Sequence, residues 1–186
     1  WYSFFQRLGR NNVYPVKGNH ELFDANAPGP PDRTREMQEK YKDVISRLYP
    51  HVSNAKTLRN TDYQSLAYYF THRDAFFVVF DSNYMRPGAP PIGGIGGKDI
   101  SQVTPEQIDW FTREVATSDE YEKAKFHFAI CHYTLNPSLE TPKQFNLVLL
   151  NLLLEYKFDA IFGACEHLYT DRFNFTTVKG VEYHTP

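Results

Sequence analysis

Apolar residues recur along the chain with periods that change from segment to segment. Trp1, Phe4, Phe5 and Leu8 have helical spacing, so the chain reads as starting inside a helix, a fragment of a longer protein. Residues 13–16 are a short β-type run ending at Gly18. Residues 25–32 are rich in proline and glycine and read as a loop. Met37, Tyr41, Val44, Ile45 and Leu48 form the stripe of an amphipathic helix that ends at Pro50. Residues 66–70 and 76–80 are aromatic and β-branched runs joined by the polar residues 71–74, a hairpin, and the second run is apolar enough to be buried on both faces.

Residues 85–97 are dense in glycine and proline and predict a long surface loop, either a lid or rim beside a site or a disordered segment. Thr104-Pro105-Glu106-Gln107 has the form of a capping box opening a helix whose buried stripe is Ile108, Phe111 and Val115. A strand over residues 126–130 ends in Cys131-His132. A second capping box, Thr141-Pro142-Lys143-Gln144, opens a helix through residues 147–154 that is apolar nearly all round and predicts packing on more than one side. Residues 158–162 are the next strand, delivering residues 163–169.

Composition narrows the class. At 186 residues, 41% hydrophobic and 16% aromatic, the chain fits one globular domain with a real core. A formal charge of −2, with no basic block or acidic tail, gives no support to nucleic acid or a bilayer surface as partner. No apolar run reaches membrane-spanning length. Cys131 and Cys165 do not make a disulfide framework. Alternation along its strand points Cys131 away from the face of His132, which argues against a bridge between the two cysteines.

The chemistry sits where strands end. Gly18 permits a sharp turn and close backbone approach, and Asn19, His20 and Glu21 follow it. Asn19 offers a neutral oxygen ligand, His20 a donor to a phosphate oxygen or an acid near neutral pH, and Glu21 a carboxylate to orient that imidazole. His132 and the pair Cys165 and His167 lie at two further strand ends. If these strands share one sheet, amide, imidazole and thiolate meet at one edge and can build a transition-metal site. Each also has a plainer reading: His132 as a hydrogen-bonding residue, Cys165 as a small buried hydrophobe. A mononuclear metal or redox site on Cys165 and His132 is a further alternative. His51, His72, His127 and His184 read as structural.

The ordered set resembles the calcineurin-like metallophosphoesterases, in their purple acid phosphatase-like branch. Gly18-Asn19-His20-Glu21 matches the family's Gly-Asn-His-Asp/Glu block, His132 its lone histidine after a strand, and Cys165-Glu166-His167-Leu168-Tyr169 its His-x-His-x-Tyr block, with Arg172 following. Asp81-Ser82 and the Thr-Pro-Glu-Gln helix fall where the family has such elements. The resemblance implies an α/β (α+β) fold: one partial catalytic domain over residues 1–186, a β-sandwich of two mixed sheets flanked by helices and lacking its first strands. It implies hydrolysis of phosphate esters, on small molecules or proteins, by a metal-bridging hydroxide. The two metal ions would be iron, zinc or manganese. Asn19, His132 and Cys165 would serve the second metal, His167 the first, and His20 the substrate phosphate, while Asp81 would be structural.

The sequence departs from the family in two places. No Asp-x-His or Gly-Asp string occurs in the chain, and Ala164-Cys165 stands where Gly-His is expected. A chain without those strings is expected to be inactive, or nearly so, by itself, with core-type surface exposed and poor solubility or partial folding. Thiolate can bind zinc or iron but lowers Lewis acidity, so the contrasting reading is a degenerate, phosphatase-like binding or scaffold protein. Asn174-Phe175-Thr176 is a glycosylation sequon, consistent with the secreted or lysosomal location the resemblance implies.

Overall fold

The computed structural model describes residues 9, 12–18, 21, 35–53, 56–58, 63–82, 103–133, 144–164, 174–178 and 181–185. The expected opening helix, both glycine- and proline-rich loops and the Thr141 capping box lie outside them. The described elements are α1 (Arg35–Leu48), the single turn α2 (Pro50–Ser53), β1 (Lys56–Thr57), β2 (Tyr68–His72), β3 (Ala75–Val79), α3 (Pro105–Trp110), α4 (Asp119–Lys123), β4 (Phe126–Tyr133), α5 (Gln144–Glu155), β5 (Ala160–Ala164), β6 (Asn174–Val178) and β7 (Val181–Thr185). A π-helical turn, Phe111–Val115, continues α3.

Strands β1 to β5 form one five-stranded sheet in sequential order. β1, β2 and β3 pair antiparallel, whereas β3, β4 and β5 run parallel, so the sheet is mixed. The expected hairpin is β2–β3: His72 pairs with Ala75, and Arg73 takes a left-handed φ of 53° in the turn. Parallel pairing requires crossovers, which α3 and α4 supply between β3 and β4, and α5 between β4 and β5. The carboxyl ends of β3, β4 and β5 therefore share one edge.

Each face of the sheet carries its own core. On one side Phe76, Val78, Phe80, Ala129 and Cys131 pack with Trp110, Phe111, Val115, Leu149, Leu150 and Leu153 from the crossover helices. Phe111 is fully buried, its ring 5.2–5.8 Å from those of Phe80, Tyr156 and Phe158. On the other side Tyr68, Val79 and Ile130 meet Ile45 of α1 and Val52 of α2. A row of stacked or tilted rings crosses this second face, with centroids 3.6 Å apart for Tyr14–Phe70, 4.9 Å for Phe70–Phe77, 5.1 Å for Phe77–Phe128 and 5.9 Å for Phe128–Phe162.

Several expectations need correction. Residues 13–16 are in no strand. The segment is held by side chains instead: Tyr68 Oη donates to the Pro15 carbonyl at 2.8 Å, His51 Nε2 bonds the Val13 carbonyl at 2.9 Å, and Tyr14 stacks on Phe70. In α1 the buried stripe is Gln38 and Ile45, with Val44 and Leu48 exposed, because Gln38 has a buried partner. The capping box at Thr104 does not close: its hydroxyl makes no cap bond, and Gln107 turns to the backbone of Asp81. α5 buries Leu149, Leu150 and Leu153, with Leu152 and Leu154 partly buried against the same core and Val148 exposed.

The strand after α5 starts at Ala160, not at residue 158, and Phe158 joins the core from the loop. The sequence reading missed β1 and the hairpin β6–β7, which forms a separate two-stranded sheet. Among the described residues no helix is long and apolar enough to cross a membrane.

Candidate active site

β4 carries the site's best-defined side chain. It is longer than its apolar run predicts, reaching Tyr133, and its register against β5 shifts between Ile130 and Tyr133. Ile130 pairs with Phe162 and Tyr133 with Ala164, so β4 holds one residue more than its partner over this stretch, a bulge. Cys131 and His132 lie inside it. Cys131 is buried in the crossover-helix core, and burial pushes its thiol up to about 12. His132 is half-buried. The expectation that the cysteine turns from the histidine's site agrees with this arrangement.

Gly18 lies against the His132 ring. A Cβ at Gly18 would sit 3.1 Å from His132 Cε1 and 3.2 Å from Nδ1, closer than side chains normally approach. It would also meet Glu21 Oε2 at 2.8 Å. That oxygen accepts a 2.8 Å hydrogen bond from the Gly18 amide, so Glu21 closes the turn. The φ of Gly18 is outside the left-handed region, which only Gly9 among the described glycines occupies. Gly18 is therefore needed for the space beside His132, and not for a backbone conformation closed to other residues.

Behind Gly18 lies a buried polar network. Lys17 is 2% exposed, and its Nζ donates at 2.8 Å both to Gln38 Oε1 of α1 and to Asp81 Oδ2 just after β3. Burial lowers the pKa of the ammonium, and the Asp81 carboxylate opposes that effect. Asp81 is clamped through its backbone as well. Its amide donates to Gln107 Oε1 at 2.8 Å, and Gln107 Nε2 donates to its carbonyl at 2.9 Å. Asp81 is thus a structural residue in this network, paired through both its side chain and its main chain.

The carboxyl end of β5 lies at the same edge. β5 ends at Ala164 opposite Tyr133, and Cys165 follows Ala164 in sequence. Asn19, His20, Cys165 and His167 lie outside the described residues. Among the described residues no three of His, Cys, Asp and Glu come together as a metal-binding group. His51 and His127 are structural: His51 bonds the Val13 carbonyl, and His127 bonds the Tyr121 carbonyl at 2.9 Å inside an aromatic cluster.

A family model, calcineurin-like phosphoesterase, matches residues 1–169. The chain belongs to the calcineurin-like phosphoesterase family. Membership implies a metal-dependent phosphoesterase, a hydrolase, in a family that generally binds divalent metal ions. The mixed α/β architecture, a five-stranded mixed sheet with helices, is consistent with that fold. No curated protein and no solved structure matches the chain. The half-buried imidazole of His132, packed against Gly18, is a nitrogen donor of the kind a phosphoesterase metal site uses. One imidazole does not hold a metal alone.

Sequence reasoning missed Lys17, Gln38 and Gln107. The signals were present: a lysine closing an apolar run, and glutamines at positions of a helix face that turns inward.

Proposed function

We propose that the protein is a phosphoesterase of the purple acid phosphatase-like type, acting on phosphate monoesters or diesters at a two-metal centre. The observation that carries this reading is the contact between Gly18, the first residue of Gly-Asn-His-Glu, and His132, which stand 114 positions apart. Two motif blocks of the phosphoesterase pattern thus meet at the carboxyl edge of β4. In this reading Asn19, His132 and Cys165 hold one metal, and His167 contributes to the other. Bound metals, whether iron, zinc or manganese, supply Lewis acidity toward the phosphoryl group and lower the pKa of a water molecule. His20 donates to a phosphate oxygen or to the leaving group, and Gly18 lets the turn pack closely on His132. The hairpin β6–β7 belongs, in this reading, to the second sheet of a sandwich.

Plasma mass spectrometry for metal content, with a chromogenic phosphate ester assayed on the same sample, tests the proposal. Metal that is retained by the wild type and lost in His132→Ala supports it; equal metal content in both overturns it. The chain contains no Asp-x-His or Gly-Asp string, so weak metal retention and slow turnover are expected for it alone. Ala164-Cys165 in place of Gly-His favours a second reading, a degenerate binding or scaffold protein. Cys165→His separates the two: raised hydrolysis marks the natural site as degenerate, and lowered hydrolysis marks the thiolate as a working ligand.

A further inference from the structure

We infer that Lys17 is a positioning residue: its buried bonds to Asp81 and Gln38 fix where Gly18 stands relative to His132. The inference rests on the reading of Asn19 and His132 as metal ligands.

Residues 13–18 have no strand ladder to set their register. The anchors upstream are the Val13 and Pro15 carbonyls and the Tyr14 ring, all three or more residues short of Gly18. Lys17 is the anchor beside the site. Its Nζ reaches Asp81, and the neighbouring Phe80 amide donates to the Ile130 carbonyl of β4 at 2.9 Å, two residues before His132. A continuous path therefore runs from the Gly18 turn through Lys17, Asp81 and Phe80 to the strand that carries the imidazole. Gln107 holds Asp81 by both backbone groups, so the far end of the path is fixed. Gln38 adds a second bond on Lys17 from α1, which lies across the other face of the sheet.

An apolar side chain at position 17 would fill the same volume without setting this register. A buried ion pair is weak evidence for stability, since apolar residues of similar size often replace one at no net cost. Metal ligands, in contrast, must be held to within about 0.5 Å. The network is thus better explained by position than by stability.

The test replaces both charges together, Lys17→Met with Asp81→Leu, in the full chain. Thermal melting, amide hydrogen exchange over residues 13–21 and a zinc titration are read on the wild type, the double variant and His132→Ala. Expected for the double variant are a melting temperature within about 4 °C of wild type, exchange at residues 13–21 about tenfold or more faster, and zinc affinity about tenfold or more weaker. Exchange and affinity both unchanged overturn the inference, because the pair would then be only a filler of the core. Should the double variant not fold, Gln38→Leu keeps the Lys17–Asp81 pair and removes one bond on Lys17. Faster exchange at residues 13–21 in that variant supports the inference, and unchanged exchange overturns it. Zinc bound equally by wild type and His132→Ala overturns the metal reading itself, whereas the exchange data still decide whether Lys17 fixes the turn.

Discussion

Gly18→Ala is the most direct perturbation of the site, because the structure predicts both its size and its address. The backbone of Gly18 is open to any residue, so the added methyl carries no conformational penalty. It acts through contact alone. At 2.8 Å from Glu21 Oε2 the methyl displaces the carboxylate, a flexible end that moves cheaply but gives up its bond to the Gly18 amide, worth about 1 kcal/mol. At 3.1–3.2 Å from the imidazole it also pushes His132 by a few tenths of an ångström, and overpacking of this kind costs about 1–3 kcal/mol. A total of about 2–4 kcal/mol lowers the melting temperature by about 4–16 °C for a domain of this size. Calorimetry measures the melt, and the ring-nitrogen NMR signals of His132 report where the strain falls.

Gly9→Ala is the control. Gly9 has a φ of 74°, yet a Cβ there meets only Asn12 Nδ2 at 3.6 Å. It should lose about 1 kcal/mol through backbone strain and leave the His132 signals in place. A Gly18→Ala protein that melts within about 1 °C of wild type, with the His132 ring signals unmoved, would refute the claim that Gly18 and His132 are packed together.

Three further outcomes are expected. Lys17→Met alone leaves the Asp81 carboxylate buried without its ion-pair partner and should cost about 3–5 kcal/mol in urea unfolding, against little for the double replacement. Gln107→Leu removes both hydrogen bonds on the Asp81 backbone and should cost about 2–4 kcal/mol, read the same way. Cys131 should resist iodoacetamide in the native protein and react after unfolding, as peptide mass spectrometry would show. Its folded pKa of about 12 lies above the ordinary 9.0, so the unfolded chain releases the thiol proton first. The stability contributed by the neutral buried thiol is therefore complete below about pH 9 and is lost as pH rises toward 12, which unfolding at stepped alkaline pH would check against Cys131→Ala.

Local periodicity carried much of the fold. The β2–β3 hairpin, α1 and α3 were legible because their apolar positions repeat at the period of the element they form, and α5 from its capping signal and apolar run. Failures arose where tertiary partners override local preference. Residues 13–16 have strand-forming side chains, but their carbonyls are taken by Tyr68 and His51. Gln107 has the place of a capping residue and bonds Asp81 instead. Gln38 is buried at a polar position of the α1 pattern because Lys17 meets it there.

In the site, His132 was legible as a polar residue closing an apolar strand. Its contact with Gly18 was not, since nothing local sets the distance between residues so far apart. The β4 bulge that accompanies His132 leaves no mark in composition either.

The network at Asp81 also bears on the order in which the chain assembles. Its contacts span 64 residues to Lys17 and 26 to Gln107, and Lys17 reaches a further 21 to Gln38. During synthesis, Lys17 leaves the ribosome well before Asp81 and Gln107, so its ammonium stays in water until both have emerged. Closing such long loops is entropically expensive before the contacts they bring are made. The Gly18 turn should therefore be among the last parts of the domain to settle, and a partly folded chain would present apolar strands without the proposed metal site. Capture of metal would then report that β3, α3 and β4 have already docked.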